Sequence, residues 1–290
     1  MQDRITAGIA QWLAEPARGE ENLARALGHI RELAAGGAEL IVLPEMWPCG
    51  YRIASLPEDV RATAEPLYGP RGEALSAVAA ETGTWLVAGS VPERDGDAIY
   101  NTAVVYSPTG ELVAAHRKAY LWTGAGEGRV FTAGDSLTSF DAEPFGRVGV
   151  VVCFDGDFPE TARAFGAAGV RLVILPSAYD VDAVESWDRL YPANAIANGQ
   201  WWIMVNQCGS YGDGQAALLG ASRILSPVGE TVAEARRAAN GETPEPELLI
   251  AEIPFAAALA DWDARFSVLL STGIRDLHVA DASATQAGRR

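Results

Sequence analysis

Cysteine is sparse: three residues in 290, at Cys49, Cys153 and Cys208, far apart in the chain. An odd, scattered set excludes a disulfide framework and fits a reducing compartment. Histidine is equally thin, at His29, His116 and His278, and no Cys/His group has metal-ligand spacing. Lysine is scarce as well, since arginine supplies nearly all the positive charge. Acidic residues outnumber basic ones, for a formal net charge of −16. Such a surface repels phosphate backbones and anionic headgroups, so nucleic acid and membranes are poor partners. Its plainest use is solubility. No apolar run approaches the length that spans a bilayer. Glu15 and Pro16 interrupt the N-terminal segment early, so no signal peptide is expected. These absences together lead to the expectation of a cytoplasmic protein.

What is present is material for a large core. Hydrophobic residues make up 49% of the chain and charged residues 21%, a balance that argues against disorder. Short apolar runs alternate with helical patterns. Ile5–Ala10 reads as a strand. Glu21–Ala35 sets Leu23, Ala26, Leu27, Ile30 and Leu33 on one helical face, and Gly36-Gly37 stops it. Leu40–Leu43 reads as a strand buried on both faces, and 71–81 as a helix. Strands follow at 85–88, 102–106 and 112–115, the last two joined by the turn Ser107-Pro108-Thr109-Gly110. The second half repeats the grammar. It has a strand at 148–152, a helix at 159–168, a buried strand at 172–175, a helix at about 184–197, and strands at 202–205 and 222–225.

Two echoes are specific. Ala38–Pro44 (AELIVLP) matches Val170–Pro176 (VRLVILP), and Ser107–Glu111 (SPTGE) matches Ser226–Glu230 (SPVGE), in the same order. The expected architecture is an α/β fold with two pseudo-duplicated sheets packed face to face and helices outside. Residues 240–246 read as a surface loop. One domain is expected over 1–276, followed by a small, polar, partly disordered tail over 277–290.

Three ionisable residues stand where strands end, the place where α/β folds gather their sites. Glu45 follows LIVLP, Lys118 follows the strand ending near Ala115, and Cys153 closes the run Val148–Val152. A thiol attacks as thiolate, and a free cysteine has a pKa of about 8.5. Glu45 can serve as its base if burial raises the carboxyl pKa. Lys118 can stabilise thiolate and oxyanion. Asp157 and Glu160 have capping-box spacing around Pro159, which puts Cys153 in a sharp strand-to-helix turn. From pattern alone, Cys153 is as readily a core cysteine, Glu45 a loop carboxylate and Lys118 a strand-edge lysine.

Together these residues resemble the nitrilase superfamily of carbon–nitrogen hydrolases, over nearly the whole chain from Ile5 to about Asp276. Leu43–Tyr51 (LPEMWPCGY) is similar to the block holding the family's catalytic Glu. His116–Leu121 (HRKAYL) is similar to the block of the catalytic Lys. Gly149–Glu160 (GVVVCFDGDFPE) is similar to the nucleophile block. Glu127–Gly134 is similar to the segment that supplies a second active-site Glu, here Glu127. The resemblance implies an α-β-β-α sandwich, a homodimer or higher even homo-oligomer, and no metal or organic cofactor. It implies an acyl-enzyme mechanism on a small-molecule amide. Glu45 is the base, Cys153 the nucleophile, Lys118 and the Phe154 N–H the oxyanion hole, and Glu127 orients the amide. Tyr51 and Asp157 are placed beside the substrate.

Departures from the family pattern narrow the branch. Phe154 and Asp155 stand where nitrilases have Trp and Glu, which favours an amide over a nitrile. Carbamoyl-amino-acid hydrolases carry arginines just after the nucleophile to grip a carboxylate, and Gly156 and Asp157 offer no such grip. Asp157 reads either as a helix cap, the favoured reading, or as a dock for a substrate amine. Asn194 stands where many members have Arg. Trp201 and Trp202 read as core. An N-carbamoyl amidohydrolase and a nitrilase are the alternative enzymes, and a catalytically inert binding or scaffold member is the non-hydrolase alternative. An N-acyltransferase is disfavoured because no membrane span or extra domain is evident.

Overall fold

The computed structural model describes residues 3–239 and 241–267. In chain order the elements are β1 (Ile5–Gln11), α1 (Gly19–Ala35), β2 (Leu40–Val42), α2 (Leu56–Thr63), α3 (Pro70–Thr82), β3 (Trp85–Asp95), β4 (Ala98–Tyr106), β5 (Leu112–Arg117), β6 (Thr138–Ala142) and β7 (Gly146–Val150). There follow α4 (Pro159–Ala167), β8 (Leu172–Ser177), α5 (Tyr191–Asn198), β9 (Trp201–Asn206), β10 (Cys208–Gly209), β11 (Leu218–Leu219), β12 (Arg223–Leu225), β13 (Thr231–Glu234), β14 (Glu247–Ile253) and α6 (Phe255–Phe266).

Two six-stranded sheets form, in the orders β14-β1-β2-β3-β4-β5 and β6-β7-β8-β9-β12-β13. Strand senses match position by position. β1, β2 and β3 run parallel, as do β7, β8 and β9, while the outer pairings on either side are antiparallel. The two sequence echoes fall on equivalent places. Ser107–Glu111 joins β4 to β5 and Ser226–Glu230 joins β12 to β13. Each turn has the same closing bonds, Ser107 N to Glu111 O at 2.9 Å and Ser226 N to Glu230 O at 2.8 Å. A glycine with left-handed φ, Gly110 or Gly229, completes each turn. The expected pseudo-duplicated sandwich is therefore the observed fold.

Alternation along the strands divides the core. Ile5, Ala7 and Ile9 of β1 pack with Val148, Val150 and Ile174 between the sheets. Ala10 packs instead with Ala26 and Ile30 of α1, on the outer side of the first sheet. α1 and α3 cover that sheet. Over the second sheet, Trp262 of α6 donates from Nε1 to Ile196 O of α5 (2.8 Å), and Trp201 of β9 donates to Phe255 O. Trp201 and Trp202 are wholly buried, in keeping with their reading as core.

Several elements depart from the sequence reading. The single helix expected over about 184–197 is a widened turn at Ser186–Leu190 followed by α5. Pro192 has no N–H to return to the preceding turn, so the chain opens there, and Trp187 and Tyr191 both point inward. The strand expected over 148–152 ends at Val150. No element is expected from the sequence at α2, β6, β13, β14 or α6, although α6 buries Phe255, Leu259 and Trp262 at helical spacing. β14 pairs along all of β1 at the edge of the first sheet, so only one of its faces meets the core. The expected boundary at Asp276 and the tail beyond it lie outside the described residues. Among the described residues, no helix is long and apolar enough to cross a membrane.

Candidate active site

Glu45, Lys118 and Cys153 come from three strand ends and meet at one end of the sandwich. Glu45 leaves β2 in a tight turn, with Met46 at φ 49°. Its backbone reaches the second sheet: Glu45 N donates to Ser177 O and Gln207 Nε2 donates to Glu45 O (2.8 Å). β3 passes so close beneath that a Cβ at Gly89 would lie 2.0 Å from Pro44 O, which only glycine avoids. Lys118 follows β5, and its N–H donates to Asn101 O on β4 (2.8 Å). Cys153 opens a short helical turn, Cys153–Asp157, at φ 48°, a left-handed value that is strained for any residue carrying a Cβ.

The three side chains that surround the thiol are sealed from solvent. Lys118 Nζ lies 3.0 Å from Glu45 Oε1 and 2.9 Å from Glu127 Oε1, and all three residues are fully buried. Glu127 also accepts from Tyr51 OH (2.8 Å) and from Trp122 N on its other oxygen (2.6 Å). Burial works against the Lys118 charge, but Glu127 and Glu45 outweigh it and hold the amine well above the usual lysine value. Burial raises the Glu45 carboxyl, Lys118 pulls it down, Glu127 pushes it up again, and the net direction is up. Cys153 is likewise raised well above a free thiol, first by burial and then by the Glu45 charge. Both shifts favour the protonated forms, so the Cys153 thiol depends on a neighbouring base such as Glu45 to give up its proton. Glu45 Oε2 is buried with no hydrogen-bond partner, and the Cys153 thiol is the neighbouring donor that favours its ionised form.

Cys49 and Cys208 are also buried, and burial pushes both thiols up to about 12. What sets Cys153 apart is its company, not an intrinsically acidic thiol. A pocket of about 380 Å³, partly open to solvent, reaches Cys153 between Trp122, Phe154, Asp157, Ala178, Tyr179, Asp180 and Ala183. Glu45, Lys118 and Glu127 lie behind the sulfur. Tyr51 does not line the pocket; its hydroxyl reaches the site through Glu127.

The capping role expected of Asp157 is not observed. α4 starts at Pro159 behind Phe158 with no side-chain cap. The Asp157 carboxylate turns inward because the hydroxyls of Tyr179 and Tyr191 both donate to its Oδ1, the latter at 2.8 Å. The side chain that fixes this turn is Asp155, whose Oδ2 accepts from Val152 N (3.0 Å). Asn194 is buried beneath the turn and donates to Gly156 O.

Sequence reasoning missed Asn101, Asp155 as a tether, Tyr179 and Tyr191. Asn101 Nδ2 donates to Glu45 Oε1 (2.8 Å), and its own Oδ1 is buried without a partner. An Asn in a strand of mostly apolar residues, Ala98–Tyr106, was the available signal. Among the described residues, no group of His, Cys, Asp or Glu is arranged to hold a metal ion.

The sequence profile of the carbon–nitrogen hydrolase family matches residues 6–260. The chain belongs to that family, within the nitrilase superfamily, and is an enzyme of its class. It is similar to Omega-amidase NIT2 of Xenopus tropicalis, 34% identical over 242 residues, with 80% of this chain and 84% of that protein covered. To Omega-amidase NIT2 of Homo sapiens it is 32% identical over 225 residues, covering 74% and 79%. Among solved structures, Nit3 of Saccharomyces cerevisiae, a member of branch 10 of the nitrilase superfamily, superposes with a TM-score of 0.82 at 25% identity, covering 96% of this chain and 98% of that one. An amidase from Nesterenkonia sp. AN1 gives a TM-score of 0.74 at 26% identity, covering 92% and 99%.

Proposed function

We propose that this enzyme hydrolyses a small linear carboxamide to the carboxylate and ammonia through a thioester on Cys153. The observation that carries this reading is Lys118 Nζ, held between Glu45 and Glu127 at 3.0 and 2.9 Å behind Cys153, which lines a pocket partly open to solvent. Amidases among the similar proteins support it, one of them from Nesterenkonia with a variant solved in complex with butyramide.

Glu45 takes the thiol proton as sulfur attacks the amide carbon. The oxyanion settles against the Lys118 ammonium and the Phe154 N–H, which need not reorganise as charge develops. The tetrahedral intermediate collapses, the proton held by Glu45 passes to the leaving nitrogen, and ammonia departs. Glu45, again a carboxylate, then takes a proton from water as it attacks the thioester. Collapse releases the carboxylic acid and returns the proton to sulfur. Glu127 and the lysine it anchors fix the amide in line for attack.

The test is ammonia release from a panel of aliphatic amides, ω-amides, amino-acid amides, carbamoyl compounds and nitriles, with Cys153→Ala in parallel. Release from amides that vanishes in the variant is the expected result. A best substrate among the nitriles or carbamoyl compounds would move the enzyme to another branch. Folded protein that acts on none would overturn the hydrolase reading.

A further inference from the structure

We infer that the acyl chain of the amide substrate carries a protonated amine, seated against the carboxylates of Asp157 and Asp180. This rests on the amide-hydrolase reading above and names the substrate class of that same pocket.

The charged residues lining the pocket are Asp157 and Asp180, and the rest are Trp122, Phe154, Ala178, Tyr179, Ala183 and the nucleophile. No arginine or lysine lines it. Lys118 lies nearby, but its ammonium already bonds two glutamates and faces the reacting carbon. A substrate carboxylate would meet two like charges and no partner, a strongly unfavourable way to lose water. An ammonium meets the reverse, and the chain's net charge of −16 draws cations toward the site.

Asp157 is built to receive such a group. It comes from the nucleophile turn, while the tyrosines that hold it come from the segment after β8 and from α5. Both hydroxyls donate to one oxygen, Oδ1. Two fixed donors favour the carboxylate as an acceptor and set its direction. Asp180 sits further out. Its Oδ1 accepts from Asp182 N (3.0 Å), and it also lines the adjoining hollow with Ile53, Ala54, Asp213, Gln215 and Ala216. It thus stands where the pocket meets the outer hollow. Arg52, next in the chain to Ile53 of that hollow, is paired with Asp213 at 2.6 Å. The unpartnered Glu45 Oε2 marks the opposite, reacting end, so the amide and the amine take opposite ends of one pocket.

The experiment compares kcat/KM at matched chain length for three series: ω-amino amides such as 4-aminobutanamide, neutral amides such as butyramide, and ω-carboxylate amides such as succinamate. The expected order is amine above neutral above carboxylate, with steps of about tenfold or more, the scale of a partly desolvated charge pair. Asp180→Asn narrows the amine-to-neutral ratio, mainly through KM, and Asp157→Asn narrows it further. Added salt narrows it in the parent enzyme too. Equal or better turnover of the carboxylate series overturns the inference while leaving the hydrolase reading intact. So does an amine-to-neutral ratio that is near one, or one that is untouched in Asp180→Asn. The Asp180 side chain is partly exposed and bonds only locally, so its variant tests the inference independently of Asp157→Asn. If no amide of any series releases ammonia, the hydrolase reading fails and the inference falls with it.

Discussion

His116 Nε2 lies 2.9 Å from Asp155 Oδ2, and neither side chain has any solvent exposure. The pair joins the end of β5 to the nucleophile turn. Asp155 Oδ1 accepts from Ala119 N (3.0 Å) and Tyr120 N (2.8 Å), the two residues after Lys118. One carboxylate therefore fixes the segment of the amine and the turn of the thiol against each other. Neither residue touches the pocket, so their part in the reaction is positional.

Replacing Asp155 by Asn tests this tether. The amide offers one acceptor oxygen where three backbone N–H groups and the His116 ring converge, and its NH2 faces at least one of those N–H groups. Loss of stability of about 2–3 kcal/mol follows from leaving buried donors unpaired. Thermal unfolding should report that drop, while kcat falls and KM changes little, because the nucleophile and oxyanion donors lose register together. A variant with unaltered unfolding and kinetics would show that the turn is held by its backbone alone.

Asn101 makes a separate contribution. It occupies Glu45 Oε1 together with Lys118 and leaves Oε2 as the free basic oxygen. A hydrogen bond to a charged group is worth about 1.5–3 kcal/mol, so Asn101→Ala should lower kcat by roughly 10- to 100-fold. Because Asn101 does not line the pocket, KM should move little. Steady-state kinetics on the best amide decide the point. A change confined to KM would instead assign Asn101 to substrate binding.

The pH profile carries the sign of the Glu45 shift. Burial and the Glu127 charge raise this carboxyl against the pull of Lys118. The base must be ionised, so activity is lost as pH falls through the raised value. The acid limb of kcat/KM should then lie above the ordinary Glu pKa of about 4.3, as an apparent value of the Glu45–Cys153 pair. Glu127→Gln removes a repelling charge, which moves the limb to lower pH in whatever activity remains. A limb at higher pH in that variant would contradict the assignment of Glu45 as base.

The duplicated sandwich and the three reactive residues were legible because strong local signals carry them. The LIVLP and LVILP strands, the paired SP-x-GE turns and an ionisable residue at each strand end are contiguous in the chain. Asn101, Tyr179 and Tyr191 were not legible, because their roles depend on contacts across 22 to 56 residues. Asp157 was misassigned for the same reason. Its local spacing to Glu160 fits a cap, and two distant hydroxyls override it. β14 escaped notice because an edge strand shows only one buried face, and α6 because its buried residues, Phe255, Leu259 and Trp262, cover only two turns.

Asp157 also links stability to selectivity. Its carboxyl is raised above the ordinary Asp value, chiefly by burial, with the Tyr179 and Tyr191 hydroxyls opposing the shift only in part. A folded-state pKa above the unfolded one means that the folded protein binds more protons between the two values. Stability is then full below the unfolded pKa of about 3.9 and declines as pH rises through the folded value. Asp157→Asn cannot ionise, and its amide oxygen can still accept from both tyrosines. The variant should therefore unfold at a higher temperature than the parent at pH 7–8, with the difference closing as pH approaches 4. Scanning the unfolding midpoint across that range checks it. A parent that stays the more stable at neutral pH would mean that the tyrosine–carboxylate bonds outweigh the desolvation of the charge. The expected result describes a charge retained at a cost in stability beside a nucleophile, the position where function, rather than packing, selects the residue.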